Sequence, residues 1–423
     1  MSINRYPLTF SIIFIFMFAM LICFFKRSSE VQILPQTYQA LNFPVLEVRT
    51  DGAKIIKSKE NYRNGEYTLK DSDGTIIAED KCKIRGRGNS TWTTIDTNKH
   101  SYLLKIKEPK SFFGFAKSDK WILMSNVTDK TSIRNVYAYH IARTIFDRTG
   151  WVPQTKFITL VVNGKYMGLY GFMEKADLQE GRIELPETKS FLAEVNPRLN
   201  RAWNFISSQF LELSIRKKEG ADAQYYQNAQ NVILNFENIL FSDYFKDEKK
   251  GYRAYIDVDS FVDWYLVNEY TKNHDARFQA SCFFTWNEKE NKFHMGPVWD
   301  FDISCGNYSK RDADKPEGLW IQSEAWYARI WEDEWFRAKV AARWNEKVMD
   351  VRKSVDWIEE KADFLTDAAN LDDKVWLRFG YRQWPNAPGY KERKTYRDEV
   401  DYLTDWCKRR IDWLSAEFNA YSR

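Results

Sequence analysis

The chain has 423 residues, 44% apolar and 16% aromatic with 17 Trp, which excludes a disordered chain and supplies material for a large core. Lys and Arg number 63 against 59 Asp and Glu, and the net charge of +4 gives no reason to expect a nucleic-acid polymer as partner. The five cysteines form no CxxC, which argues against a zinc ribbon, a thioredoxin-like motif or a disulfide scaffold; free buried thiols are expected, with Cys282–Cys305 the one pair considered for a bridge.

Residues 8–25, LTFSIIFIFMFAMLICFF, are 18 uncharged and mostly large apolar residues, the length of a short membrane span or a signal-peptide core. No small-residue cleavage pattern follows, and Ile22 is large for the position before a lipidated Cys23. Residues 1–26 are therefore read as a signal anchor or signal peptide, with the membrane as a partner through this segment. Arg5 on one side and Lys26 and Arg27 on the other leave the orientation open. The main domain is expected to be membrane-anchored or exported. Residues 27–43 read as a polar spacer.

PVLEVRT (44–50), EYTLK (66–70), TIIA (75–78) and KCKIRG (81–86) alternate as strands and are separated by Gly, Asp and Asn, a β-meander. IRGRGNSTW (84–92) follows. Gly86 and Gly88 free the backbone to approach a ligand, and the exposed N–H groups with Arg85 and Arg87 suit an anion such as phosphate; a simple tight turn is the competing reading. Thr91 stands where a dinucleotide fingerprint has its third glycine, and no GK[ST] occurs. SYLLKIK (101–107) predicts a strand with Leu104 and Ile106 on one face and Leu103, Lys105 and Lys107 on the other. WILMS (121–125) is another strand. A helix is expected over 130–146, with Ile133, Val136, Tyr137, His140, Ile141 and Ile145 in one stripe and His140 read as a core histidine. KFITLVVNGKYMGLYGFMEKAD (156–177) predicts a hairpin turned at Asn163-Gly164.

FLAEV (191–195) and FLELSIR (210–216) are further strand-like pieces, after which helices dominate at 222–246, 259–272, 324–348, 351–369 and 391–420. The division is a β-rich unit over 44–175, a mainly helical unit over 176–350, and a C-terminal helical extension over 351–423. Near the middle, at 271–304, FFTW (283–286), a polar turn (287–292) and FHMGPVW (293–299) predict a hairpin. Its closure brings Asp275 to the pair Asp300 and Asp302. Carboxylates held together repel unless a cation or a proton lies between them, so a metal-dependent site is expected. DFDIS loosely resembles an aspartate-based phosphatase strand, but the opening meander argues against the parallel βαβ sheet that fold needs. A DxD glycosyltransferase would need its nucleotide-binding half before the motif.

IRGRGNSTW (84–92), DKTSIRNVYAYHIAR (129–143), VNGKYMGLYGFMEKAD (162–177), YIDVDSFVDWYLVNEYTKNHDA (255–276) and MGPVWDFDIS (295–304) together resemble the CotH kinase family, over roughly residues 44–350. The resemblance implies an α+β, divergent protein-kinase-like two-lobe fold, with a β-rich N-lobe over 44–175 and a mainly helical C-lobe holding the active site. It implies ATP, Mg²⁺ or Mn²⁺, and Ser or Thr of an envelope or extracytoplasmic protein as acceptor. By the same resemblance Gly86, Arg87, Gly88 and Asn89 cover phosphates, and Lys105, with Lys107 as alternative, neutralises them. Helix 130–146 corresponds to helix C, and residues 169–177, with Glu174, form the hinge near adenine. Asp275 acts on the acceptor hydroxyl, Asp300 binds the metal, and Asp302 is either a second metal ligand or a group behind the first. The chain departs from that pattern in three places. The helix has no carboxylate to pair the lysine, leaving Asn135 and His140 as its inward polar groups. Ala280, followed by Ser281, stands where kinases carry a metal-binding Asn. Asp302 replaces the glycine of DFG. These departures also suit a catalytically weak pseudokinase acting as a surface adhesin or ligand-binding protein.

Overall fold

The computed structural model describes residues 32–93, 98–199, 203–216 and 218–421. The expected anchor, 1–26, lies outside the described residues; among those described, no helix is long and apolar enough to cross a membrane. The stretch read as a spacer is structured at its end. Helix α1 (Pro35–Gln39) buries Tyr38, which stacks on Tyr166 with ring centroids 5.6 Å apart.

Strands β1 (Val45–Thr50), β2 (Arg63–Lys70), β3 (Ile76–Arg87), β4 (Ser101–Lys110), β5 (Ser118–Met124), β6 (Thr155–Val162) and β7 (Lys165–Met173) close into a barrel in the order β1-β2-β3-β4-β5-β7-β6. The expected pieces 75–78 and 81–86 are one strand, β3, because β2 pairs along almost its whole length. Closure comes from a parallel pairing of β1 with β6, Val45 opposite Thr159 through Val48 opposite Val162. Period-2 alternation sends Ile84, Leu104, Trp121, Leu123 and Phe172 into the barrel core. It sends Leu103, Ile122, Met124 and Met173 outward into a second core shared with the helices. Two short elements complete this half. Helix α2 (Ser90–Thr93) follows the glycine loop, and α3 (Arg134–Thr144) crosses after β5. α3 starts later than expected because Asp129 bends the chain first, accepting from the Thr131 hydroxyl (2.7 Å) and the Arg134 backbone N–H (2.8 Å).

A second sheet is wholly antiparallel in the order β12-β11-β8-β10-β9: β8 (Phe191–Val195), β9 (Trp203–Ile206), β10 (Glu212–Ile215), β11 (Phe283–Asn287) and β12 (Lys292–Met295). β11 and β12 are the expected hairpin. Helices α4 (Ala223–Leu240), α5 (Val258–Thr271), α6 (Ala325–Ile330), α7 (Glu334–Trp376) and α8 (Tyr396–Asn419) pack around it. The helices expected at 324–348 and 351–369 are largely one 43-residue helix, α7. No glycine or proline interrupts it, and it ends only at the left-handed Leu377. A boundary at residue 350 therefore falls inside a helix. Trp344 before it and Ile358 and Leu365 after it share one core with Val400, Ile411 and Leu414 of α8, so the C-terminal extension is part of the helical half. The far end of α7 returns to the barrel, where Trp376 Nε1 donates to the Met167 carbonyl at 2.9 Å. Cys82, Cys282, Cys305 and Cys407 are free and buried, as expected; Cys282 and Cys305 are not bridged.

Candidate active site

α5 is buried along almost its whole length, with Phe261, Trp264, Tyr265 and Leu266 in the core. Asp257 caps its start, accepting from Ser260 N at 2.7 Å. At its end the buried Glu269 accepts from Arg410 Nη2 (2.6 Å), Trp320 N (2.7 Å) and Ile321 N (2.8 Å). Lys272 then takes a left-handed C-cap and donates to the carbonyls of Asp312, Lys315 and Glu317. The chain leaving α5 is thus held from several sides, which delivers Asp275 in a defined place.

From there the chain zips onto the second sheet, with Ser281 N donating to Val195 O (3.1 Å) and Val195 N to Cys282 O (2.8 Å). The β11–β12 hairpin runs out and back, and Gly296 N donates to Phe283 O at 2.9 Å. The closure is direct: Ser281 Oγ donates to Asp300 Oδ2 at 3.1 Å. Asp300 has φ +64, a conformation aspartate adopts more readily than most residues. Asn135 Oδ1 on α3 accepts from Phe301 N at 2.8 Å, and the buried Phe301 ring meets Tyr139 edge-on. Asp302 Oδ2 accepts from the Thr128 hydroxyl, and Asn307 Nδ2 donates to the carbonyls of both Thr128 (2.8 Å) and Asp302 (2.6 Å).

The three carboxylates share one field. Burial first, and then the charge of Asp300, push Asp275 well above the usual carboxylate range; Arg198 opposes the shift. Burial and Asp300 push Asp302 up to about 7, against the stabilising bond from Thr128. They border a cavity of about 620 Å³. From the barrel come Arg87, Gly88, Leu103 and Met124; from the connection to the second sheet and that sheet itself come Lys175, Glu194, Arg198 and Arg216. The cations make the chamber suited to a polyanion, and the carboxylates make one end of it suited to a cation.

The expected site residues divide in two. Asp275, Asp300, Asp302, Arg87, Gly88 and Asn89 all border the cavity. Arg87 lies over the Trp299 ring at 5.9 Å. The Asn89 amide, oriented to satisfy its neighbours, accepts from Arg198 Nη1 at 2.9 Å. Gly86, Lys105 and Glu174 are not among the lining residues. Gly86 is needed for packing, since a Cβ there would lie 2.3 Å from the Trp92 ring. Gly88, at φ +99, supplies the backbone freedom. Lys105 points to the same side of β4 as Leu103 but two residues further out, where it is 42% exposed and faces Asp119 at 3.9 Å. Glu174 is buried and takes up backbone groups instead, accepting from Ala116 N (3.1 Å) and Gln154 N (3.0 Å).

Its neighbour Lys175 does border the cavity. Burial holds that ammonium down to about 8, opposed by a hydrogen-bonded ion pair with Asp177. α3 does not supply a partner for a lysine: Asn135 holds Phe301 N, and His140 stacks on Trp357 at 4.6 Å. Sequence reasoning missed Thr128, Arg198 and Arg216. Thr128 and Arg198 lie in loops, and Arg216 ends a strand-like run; none carries a pattern that marks it. Lys175 was visible only as the end of the predicted 156–177 hairpin. Among the described residues no three His, Cys, Asp or Glu side chains are grouped to hold a metal by themselves.

Residues 84–414 match the family model described as CotH kinase protein, a span running from β3 into α8. A comparison with curated proteins finds no match.

Proposed function

The chain belongs to the CotH kinase family, and from that premise we propose that it transfers the γ-phosphate of ATP to Ser or Thr of an envelope or extracytoplasmic protein. The observation that carries the reading is the meeting of Asp275 with Asp300 and Asp302 at one end of a chamber bordered by Arg87, Lys175, Arg198 and Arg216. Phosphoryl transfer asks little more of a protein than positioning and charge.

The donor set suits Mg²⁺ or Mn²⁺. Two hard carboxylates, Asp300 and Asp302, would hold the ion, and the rest of its shell would be water and phosphate oxygens. When bound, the cation offsets the negative charge of the phosphates. Asp275 orients the acceptor hydroxyl and takes its proton; its raised proton affinity suits that role. Arg87 and Gly88 at the barrel lip, and Lys175 further in, hold the phosphates. Ser281 keeps Asp300 in position through its hydroxyl, the place of the missing kinase Asn being held by Ala280.

A second reading, a nucleotide-binding pseudokinase or adhesin, is favoured by one observation: Lys105 faces Asp119 outside the cavity lining. One experiment separates the two. The full chain is incubated with labelled ATP, Mg²⁺ or Mn²⁺ and a mixed acceptor set, and self-labelling is followed as well. Cation-dependent labelling of Ser or Thr is expected. ATP binding without transfer under either cation supports the pseudokinase, and no nucleotide binding at all removes both nucleotide readings.

A further inference from the structure

The loop 126–131 is buried, and its Thr128 meets the active site twice, directly through the hydroxyl on Asp302 and through its carbonyl, which shares Asn307 Nδ2 with the Asp302 carbonyl. Its other side is held by the C-terminal segment. Arg378 Nη2 donates to the carbonyls of Asn126 (2.9 Å) and Asp129. Lys130 Nζ donates to Tyr381 O at 3.0 Å and faces Glu399 at 3.4 Å. The Tyr396 hydroxyl donates to Thr131 O at 3.1 Å. Four residues from beyond position 377 thus meet four of the six loop residues, Asn126, Asp129, Lys130 and Thr131.

Arg378 is itself anchored. It is 1% exposed and donates through Nη1 to Asp372 Oδ2 at 3.0 Å. Asp372, wholly buried, also accepts from Lys99 Nζ (2.9 Å) and Leu169 N (3.0 Å) of the barrel side. The same C-terminal stretch sends Trp384 to the cavity wall. A loop of this length, held only by its own turns, would leave the Thr128 hydroxyl free to rotate and drift. A guanidinium whose Nη2 holds two of its carbonyls while Nη1 is fixed on Asp372 restricts that freedom.

We propose that Arg378 is a positioning residue of the active site, setting the 126–131 loop so that Thr128 holds Asp302 for a divalent cation. The C-terminal segment is then a working part of the site. This rests on the reading above that Asp302 serves a cation.

The test is a double-mutant cycle on the full chain, titrating Mn²⁺ by calorimetry with and without a non-transferable ATP analogue. Arg378→Ala and Thr128→Val are each expected to weaken Mn²⁺ binding about 10-fold or more, the range seen when groups behind metal ligands are removed. The double variant is expected to be no weaker than the poorer single variant, because both remove the same constraint. Thr128→Ser, which keeps the hydroxyl, is expected to bind like wild type. If Arg378→Ala does not fold, the cycle is run with Arg378→Lys, which keeps the charge opposite Asp372 and loses the fork. Wild-type Mn²⁺ affinity in the folded Arg378 variant, or losses that multiply in the double variant, overturn the proposal and leave the kinase reading standing. A wild-type chain that binds Mn²⁺ and nucleotide but transfers nothing defeats the kinase reading, and the cycle still decides this one. A wild-type chain that binds no Mn²⁺ overturns both.

Discussion

Lowering the pH from 8 to 6 should release the divalent cation. Asp302 holds its proton up to about 7, raised from the ordinary 3.8 by burial and by Asp300. A cation must displace that proton, so apparent affinity falls as the carboxyl protonates. With a midpoint near 7, affinity at pH 8 is close to its plateau and at pH 6 is lower by about tenfold, one pH unit beyond the midpoint. Thr128→Val should move the midpoint upward, because its hydroxyl bond favours the ionised form. Asp302→Asn should abolish the dependence along with most of the affinity. The assay is Mn²⁺ titration by calorimetry at pH 6, 7 and 8. An affinity flat over that range in wild type would refute the reasoning. The stability of the cation-free protein carries the same signature with a defined sign. The folded carboxyl binds its proton more tightly than the unfolded one, so this group's contribution is fully present below about 4 and is lost as pH rises to about 7. Added Mn²⁺ should restore stability at pH 8.

Three further outcomes can be measured. Asp275→Asn should leave nucleotide binding nearly intact and reduce transfer by about 10²–10⁴-fold, the usual worth of a general base; a variant that unfolds instead makes Asp275 structural. Lys105→Ala, at an exposed site facing Asp119, should change nucleotide affinity less than twofold, whereas Lys175→Ala should weaken it about tenfold, the worth of one charge-assisted hydrogen bond. Equal losses in both would return the phosphate role to Lys105. Asp372→Ala would leave the buried Lys99 and Arg378 without their shared carboxylate and should cost about 3–5 kcal/mol in urea unfolding. A loss under about 1 kcal/mol would show that water reaches the pair, as it does at exposed ion pairs.

Much of the site was legible because its signals are local. The alternation of FFTW and FHMGPVW and the polar turn between them lie within one short window, and they produced β11 and β12 as expected. That hairpin was enough to join Asp275 to Asp300, and Ser281 on Asp300 is the contact made. The alternation puts Leu103 and Lys105 on one face of β4, yet a strand pattern does not say how far along that face the cavity extends. The separation of Lys105 from the site depends on where the strand lies against the second sheet, which no window of β4 contains. Gly86 shows the same limit. The glycine was visible, but the Trp92 ring that requires it is packed there only in three dimensions.

By itself, the sequence determined most of the strands and the long helices, the central hairpin that brings the carboxylates to one cavity, and the kinase-like family. Each rests on periodicity, turn chemistry or a contiguous motif, and such signals survive in a single stretch of chain. Only the tertiary structure decided the rest: the parallel closure of β1 on β6, the continuity of α7 through residue 350, and the placing of Lys175 in the cavity while Lys105 stays outside. It also decided the bond from Thr128 to Asp302, between residues 174 positions apart. Barrel register and buried polar partners arise from the packing of distant segments, where a donor and acceptor meet because the whole fold leaves them no water.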